Sequence, residues 1–344
     1  MKSNSEAAGR SYLYTFPFWV YLDPASPPEI LSSHLSEYSF RLYPPFRSGP
    51  ANFTTMPEVA PLNIPFVSGQ RPDIGPDLKI PSQVLIPDLV RREGGRPTVM
   101  LVTGGKWNKL TETPPADSLR VDVWRTQNTQ QIADSLVQRL ISLLRWRSRQ
   151  WWVGRSIDAW LGYRRCTFPI SEDGSPLSGP EAHAQLNVIG SNILTVIGDE
   201  RPVDRTIWEA VSNDIAGGND SPSHIIYLLD ARYFTFKGDL RRAILDMVVA
   251  CEQARDLAFE RLHRKVRGTD LLSHITDELK RVGRRSYEEE HPSDYQWVKK
   301  LWITRGNIAH GRPAALDDLT AFQFLRAAEQ CVRWLDSVFQ TAQP

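Results

Sequence analysis

The sequence predicts an α+β domain over residues 1–220, followed by an all-α helical bundle over residues 223–340. Prolines cluster over residues 24–115, which argues against long helices there and favours strands joined by irregular loops. From the start of the second region, apolar residues recur at the three- and four-residue spacing of amphipathic helices. Between the two regions, residues 217–222 read Gly-Gly-Asn-Asp-Ser-Pro, a composition typical of a linker.

Five segments of the N-terminal domain are predicted to be strands, because they are rich in aromatic and β-branched residues. They are residues 12–22, 40–43, 84–86, 98–102 and 119–124. Pro17 in the first segment indicates an edge position or a bulge, since proline cannot donate a ladder hydrogen bond.

The same domain contains two predicted helices, over residues 129–152 and about 207–215, where apolar residues recur at helical spacing. Residues 186–197 fit either a strand pair or a short helix. The stretch Gly104-Gly105-Lys106 is interpreted as a hairpin turn, because it lacks the spacing of a phosphate-binding loop.

Cap residues divide the bundle into four or five helices. Asp239 is predicted to cap a long helix, since an aspartate there can accept a hydrogen bond from the first turn. A shorter helix follows over about residues 271–279. A further helix begins near Asp294 and ends at Gly311, and the last helix starts near residue 317.

The composition of the 344-residue chain, 41% hydrophobic and 24% charged, is ordinary for a globular protein. A net charge of +1 means that any surface for nucleic acid must be local. Cys166, Cys251 and Cys331 form neither a disulfide framework nor a metal-ligand spacing, which favours a reducing cytoplasm and no bound metal or other cofactor. No signal-peptide core and no run of about 18 apolar residues is present, so no membrane partner is expected.

An arginine and a histidine, Arg305 and His310, lie at the predicted end of the penultimate helix. A neutral imidazole can take a proton from a ribose 2′-OH, and a guanidinium can hold the phosphate and stabilise its transition-state charge. This pair could therefore cleave RNA without a metal. The alternative is a solvated arginine and a histidine that caps the last carbonyls of the helix.

The bundle resembles the HEPN family (higher eukaryotes and prokaryotes nucleotide-binding domains) over residues 223–340. The resemblance rests on three features. The first is a Leu-Asp-Ala-Arg sequence at residues 229–232, followed by Gly-Asp at 238–239 and Arg-Ala-Ile at 242–244. The others are the acidic Glu252 in the long helix and the Arg-x4-His-Gly motif at residues 305–311.

The resemblance implies a ribonuclease of the toxin or antiviral and antiphage defence type, in which two chains pair and their motifs face each other. It implies that Arg305 and His310 form the catalytic pair and that Glu252 supports them. Gly306 stands where catalytic members usually carry a polar residue. Either Asn307 takes that role or the site is weakened, and some family members serve only as nucleotide-binding or dimerisation modules.

Residues five apart lie roughly 140° apart around an ideal helix, so Arg305 and His310 do not share a face of a regular helix. They converge if the helix loosens near Gly306 or ends before His310, because glycine permits both. A symmetric dimer is another solution, since each subunit can complete the other's site. A homodimer or a higher homo-oligomer is therefore expected.

A second candidate surface lies at the end of the predicted helix 129–152, where arginines alternate with tryptophans. Arg145, Arg147, Arg149 and Trp152 could bind a nucleic acid, since arginine bonds phosphates and aromatic rings stack on bases. The alternative, which we favour, is that the tryptophans are core residues and the arginines line a solvated helix face.

The sequence thus predicts a cytoplasmic RNA-cleaving effector whose N-terminal domain senses a nucleic-acid trigger, binds a regulatory protein or restrains the bundle. Three other possibilities stay open. One is a non-catalytic dimerisation or nucleotide-binding module, and another is a nucleic-acid sensor without catalysis. In the third, the N-terminal domain is the active part and the bundle serves only for oligomerisation.

Overall fold

A computed structural model describes residues 8–20, 22–23, 26, 28–34, 38–45, 84–87, 116–154, 164–177, 181–182, 191–194, 200–266, 268, 270–314 and 316–338. The chain divides into two compact units, Met1–Asp220 and Ser221–Pro344. The predicted strand 98–102 and the turn at 104–106 lie outside the described residues.

The described strands of the first unit form two antiparallel sheets. The strands are β1 (Gly9–Val20), β2 (Leu31–His34), β3 (Ser39–Leu42), β4 (Val84–Pro87), β5 (Ala116–Trp124), β6 (Arg164–Ile170), β7 (Glu181–Ala182) and β8 (Ser191–Leu194). Six of them form one sheet in the order β2-β3-β5-β1-β6-β7, while β4 pairs with β8. The strands predicted at 12–22, 40–43, 84–86 and 119–124 correspond to β1, β3, β4 and β5.

Strand β1 lies in the interior of the sheet, between β5 and β6. Its pairing with β5 shifts register between Thr15 and Val20, which is where Pro17 interrupts the ladder. The predicted bulge is therefore confirmed, although the strand is not at an edge. Within residues 186–197, the described part is the strand β8.

Two helices belong to this unit, α1 (Thr129–Ser148) and α2 (Arg205–Ala216), and they pack against each other. Helix α1 buries one apolar stripe, including Leu136, Leu140 and Leu144. It ends four residues earlier than predicted, because Arg149 adopts a left-handed conformation (φ 59°) that stops the helix.

The described part of the second unit is helical throughout. Its helices are α3 (Ser223–Lys237), α4 (Leu240–Arg261), α5 (Leu271–Ser273), α6 (Leu279–Gly283), α7 (Tyr287–Glu290), α8 (Pro292–Ala309) and α9 (Asp318–Ser337), with a π-helical turn at His274–Glu278 between α5 and α6. Side chains of Asp239 and Asp317 accept hydrogen bonds from the first turns of α4 and α9.

Helix α4 is central to this unit, because it packs against α3, α8 and α9. Its buried side includes Ala243, Met247, Cys251 and Ala258, and three of these four have small side chains. None of the helices in the described ranges combines the length and the apolar character that crossing a bilayer demands.

Candidate active site at the end of α8

Helix α8 ends in a Schellman motif, built entirely from backbone groups. Its last helical residue is Ala309, and His310 follows with φ −95° and ψ 11°. The Gly311 N–H donates to the Ile308 carbonyl at 3.1 Å, and the Arg312 N–H donates to the Asn307 carbonyl at 2.8 Å. Gly311 supplies the left-handed conformation (φ 66°) that this motif requires. The helix therefore ends before His310 and stays regular through Gly306.

The side chain of His310 takes no part in capping the helix. The last carbonyls of α8 already accept backbone hydrogen bonds, including one from the His310 N–H to the Gly306 carbonyl at 3.1 Å. The imidazole is exposed, and it forms no hydrogen bond or ion pair with any residue that the structure describes. The ring is thus available to a ligand, and the capping alternative considered for this histidine loses its physical basis.

The two glycines of the motif give a matched test of this helix end. We expect Gly311→Ala to lower the free energy of unfolding by about 1–2 kcal/mol, because alanine is strained in the left-handed region. A β-carbon at Gly311 or at Gly306 would meet no atom within 4 Å, so neither change introduces a clash. Gly306→Ala should instead stabilise the protein by up to about 1 kcal/mol, since Gly306 is helical.

Chemical denaturation of the two variants would measure both effects. Opposite signs are the expected result. Two changes of the same sign would contradict a helix that is regular at Gly306 and left-handed at Gly311.

Arg305 lies on the stripe of α8 that faces the core of the unit. Val298 and Leu301 on this stripe are buried, and Arg305 lies within roughly 40° of both around the helix. The core ends at Leu301, however, and Arg305 is half-buried. Its guanidinium lies 5.6 Å from the ring centre of Trp302 and pairs with no carboxylate of the described residues.

The structure of one chain does not join the predicted catalytic residues to one another. No hydrogen bond or ion pair among the described residues links Arg305, His310, Asn307 and Glu252. Asn307 lies roughly 60° from His310 and roughly 160° from Arg305 around the helix axis, so it belongs with the histidine. Glu252 is half-buried on α4, next to the buried Cys251.

Positive charge accumulates from the middle of α8 to just beyond its end, without acidic neighbours in sequence. Between Asp294 and Asp317 the chain has no aspartate or glutamate, whereas it has the four cations Lys299, Lys300, Arg305 and Arg312. None of these four pairs with a carboxylate in the described ranges. By contrast, several other cations of this unit are paired, namely Arg232 with Glu329, Arg255 with Asp256, Lys280 with Glu289 and Arg285 with Glu290.

The absence of acidic residues from this stretch is visible in the sequence and is a signal for the site in addition to the Arg305/His310 spacing. Together with the free imidazole, it defines a surface suited to an anion.

The second candidate surface, at the end of α1, is largely internal. The Trp152 ring is fully buried and has no face on which a base could stack. Arg145 is 4% exposed and donates to the Trp151 carbonyl at 2.9 Å. Arg147 donates to the Asp214 carboxylate at 2.9 and 2.6 Å. Arg149 is half-buried at the cap of α1.

Arg145 and Trp152 are therefore core residues, which agrees with the favoured alternative for the tryptophan but corrects it for Arg145, since that arginine is buried and does not lie on a solvated face. The physical reason is that α1 stops at Ser148, after which the chain turns inward and buries both tryptophans, Trp151 and Trp152. Trp151 and Trp152 thus belong to the core of the first unit.

A buried charged pair lies inside the sheet of the first unit. Arg120 donates to both carboxylate oxygens of Asp122, each at 2.9 Å, and the Tyr43 hydroxyl donates to the same carboxylate at 2.9 Å. Burial and the Asp122 charge raise the pKa of Tyr43, so its hydroxyl stays protonated as a donor. Both atoms of the Asp122 carboxylate have partners, so this cluster is structural.

In the described ranges, no group of three His, Cys, Asp or Glu side chains is arranged to hold a metal ion. Cys251 and Cys331 are both buried thiols on α4 and α9. A hydrogen-bonding interaction with Cys251, together with burial, raises the pKa of Cys331, which keeps that thiol protonated.

Comparison of the chain with family models, with curated proteins and with solved structures gives no match in any of the three. The function must therefore be argued from the residues and their geometry alone.

Proposed function

We propose that this protein is a metal-independent endoribonuclease whose active site is formed by Arg305 and His310. One observation supports it above the others: an imidazole free of any capping role lies in a stretch, from the middle of α8 to just beyond its end, that has four cations and no carboxylate. Such a surface attracts a polyanion and offers it a proton-transfer group. The proposal takes the second unit as a HEPN-like bundle and the protein as a cytoplasmic effector of the toxin or defence type.

The proposed reaction is an internal transesterification of RNA. A neutral His310 imidazole takes the proton of a ribose 2′-OH, and the 2′-oxygen attacks the adjacent phosphorus. The bond from phosphorus to the 5′-oxygen breaks, and a protonated imidazole gives its proton to that oxygen. Arg305 holds the non-bridging oxygens and stabilises their charge. The products carry a 2′,3′-cyclic phosphate and a 5′-hydroxyl.

The complete site requires two copies of the chain. Within one chain, no hydrogen bond or ion pair among the described residues joins Arg305 to His310, and a regular helical path from one to the other would turn through roughly 140°. Two copies related by a two-fold axis would bring an arginine of one copy towards a histidine of the other, and would supply one imidazole as base and one as acid. The first unit would then sense a trigger, bind a regulatory protein or restrain this pairing.

The test is cleavage of total RNA by the purified protein in excess chelator. Cleavage with 2′,3′-cyclic phosphate ends is the expected result, and Arg305→Ala should abolish most of it. Arg305→Lys should recover little activity, because an ammonium keeps the charge but not the two-pronged phosphate contact. Cleavage that disappears in chelator would rule out this mechanism.

A non-catalytic nucleotide-binding or dimerisation module is the second candidate. It is favoured by Gly306, which stands in place of a polar residue, and by the lack of contact between Arg305 and His310 within one chain. Toxicity on expression separates the two candidates. A nuclease should slow growth in a way that Arg305→Ala relieves, whereas a binding module should give equal growth with both forms.

A further inference from the structure

The core-facing stripe of α8 continues beyond the end of the core. Val298, Leu301, Arg305 and Ile308 follow one another at helical spacing, but only the first two are buried. From Trp302 to Ala309, no residue of α8 is buried. The last two turns of the helix thus present, on the side that would otherwise enter the core, a surface with Arg305 at its centre.

Trp302 and Trp297 show how this surface differs from the packed part of α8. Each ring has a cation three residues later along the helix, with Arg305 5.6 Å from the Trp302 ring centre and Lys300 4.4 Å from that of Trp297. Trp297 packs edge-to-face on Phe324, with ring centres 5.9 Å apart. Trp302 has no aromatic neighbour among the described residues, and it is partly exposed.

The charge around Trp302 selects an anionic occupant. Arg305 and Arg312 lack carboxylate partners in the described ranges, and no acidic residue intervenes in sequence between Asp294 and Asp317. A planar, partly open indole beside an unpaired guanidinium matches the two parts of a nucleotide, because a base stacks on an aromatic ring and its phosphate binds arginine.

We propose that Trp302 is the base-stacking residue for the nucleotide whose phosphate Arg305 holds. This inference rests on the proposed function, and it names the substrate as unpaired RNA, since a base within a duplex cannot leave its stack to reach the indole without cost. Stacking of this kind tolerates any base, so the site selects single strands rather than a sequence.

The test uses two fluorescent oligomers of equal length that cannot be cleaved. One is a 2′-O-methyl oligoadenylate, which lacks the nucleophile, and the other is its abasic counterpart. Binding to the full-length protein is followed by anisotropy at low salt. The native protein should bind the base-bearing oligomer about 10-fold more tightly, as expected for one stacked base.

Trp302→Ala should remove this preference and bind both oligomers at the abasic level, while Trp302→Phe should keep part of it. Ile303→Ala is the matched control, because Ile303 is the neighbouring apolar residue on α8, is 55% exposed and lies on a different face. It should leave the preference unchanged. Arg305→Ala should weaken binding of both oligomers alike, since both carry phosphates.

The outcomes separate this proposal from the nuclease. A native protein that cleaves RNA but binds the base-bearing and abasic oligomers equally overturns the stacking role alone, as does a Trp302→Ala variant that keeps the preference for the base-bearing oligomer. A base preference that Trp302→Ala removes, in a protein that never cleaves RNA, overturns the nuclease alone. A native protein that binds neither oligomer overturns the stacking role, and so does a folded Trp302→Phe variant that loses the whole preference, because a phenyl ring should keep part of the stacking.

Discussion

Replacing His310 by alanine is expected to lower the rate of RNA cleavage by about 10²–10⁴-fold, the usual contribution of a general acid or base. The same change should leave the free energy of unfolding within about 0.5 kcal/mol of its original value, because the imidazole is exposed and bonds to no described residue. The two measurements together are informative. A large loss of activity with unchanged stability is what a chemical role predicts and a structural role does not.

The control for this prediction is another exposed histidine of the second unit. His263 lies after α4 with a positive φ of 53°, so His263→Asn suits its left-handed backbone and should leave cleavage unchanged. Cleavage rates would be measured on a fluorescent single-stranded RNA, with unfolding followed by circular dichroism. Full activity in His310→Ala would remove the imidazole from the mechanism.

A heterodimer experiment extends the same prediction to the pairing of two chains. Mixing Arg305→Ala chains with His310→Ala chains should restore part of the activity if each site takes its arginine and histidine from different copies. In that arrangement a mixed dimer has one site with both an arginine and an imidazole, and recovery is only partial because the second imidazole is missing. No recovery after the chains have exchanged would indicate that each site is built from a single chain or that it needs both imidazoles.

Helices were more predictable from this sequence than strands, because the signals that form a helix lie close together in sequence. Periodic apolar residues and the caps Asp239 and Asp317 act within a few positions, so α4 and α9 could be located from the sequence. Strands β2 and β7 are only four and two residues long, and their existence depends on partners distant in sequence. The strand order of the sheet is non-local for the same reason.

Strand β6 and the π-helical turn were missed for different reasons. β6 contains Pro169 and begins with two arginines, so its composition hides the alternation of a strand. The segment from Leu271 to Leu279 was predicted as one helix, but the turn at His274–Glu278 widens it. There the buried His274 approaches Arg255, with 3.2 Å between its Nδ1 and the guanidinium, a long-range contact that periodicity does not reveal.

The candidate site was predictable in its residues but not in its surroundings. Gly311 and the following proline, Pro313, mark the helix end in the sequence, and the motif residues stand on either side of Gly306. Whether Arg305 meets a carboxylate depends on side chains from other helices. Packing between α8 and α9 also decides which tryptophan has an aromatic neighbour. Trp297 packs on Phe324, whereas Trp302 has no such neighbour among the described residues.

The largest effect on stability is expected from Asp122→Ala in the first unit, at about 3–5 kcal/mol, because it leaves a buried arginine without its counter-charge. Asp122 is fully buried and Arg120 is 6% exposed, so water cannot replace the lost carboxylate without opening the sheet. Arg120 would keep only neutral acceptors, the Ser11 hydroxyl at 3.1 Å and the Gly174 carbonyl at 3.0 Å. The Tyr43 hydroxyl would lose its acceptor as well.

Denaturant unfolding of two further variants shows whether the stability lost in Asp122→Ala comes from the unpaired charge of Arg120. Asp134→Ala removes another carboxylate that accepts from a tyrosine, Tyr14, at 2.7 Å, but at a half-buried position, so about 1 kcal/mol is expected. Arg120→Met combined with Asp122→Leu removes both charges and should destabilise less than Asp122→Ala alone, since apolar residues of similar volume often replace a buried pair at little cost. A double variant as unstable as the single one would mean that the shape of the cluster, rather than its charge balance, holds β5 in the sheet.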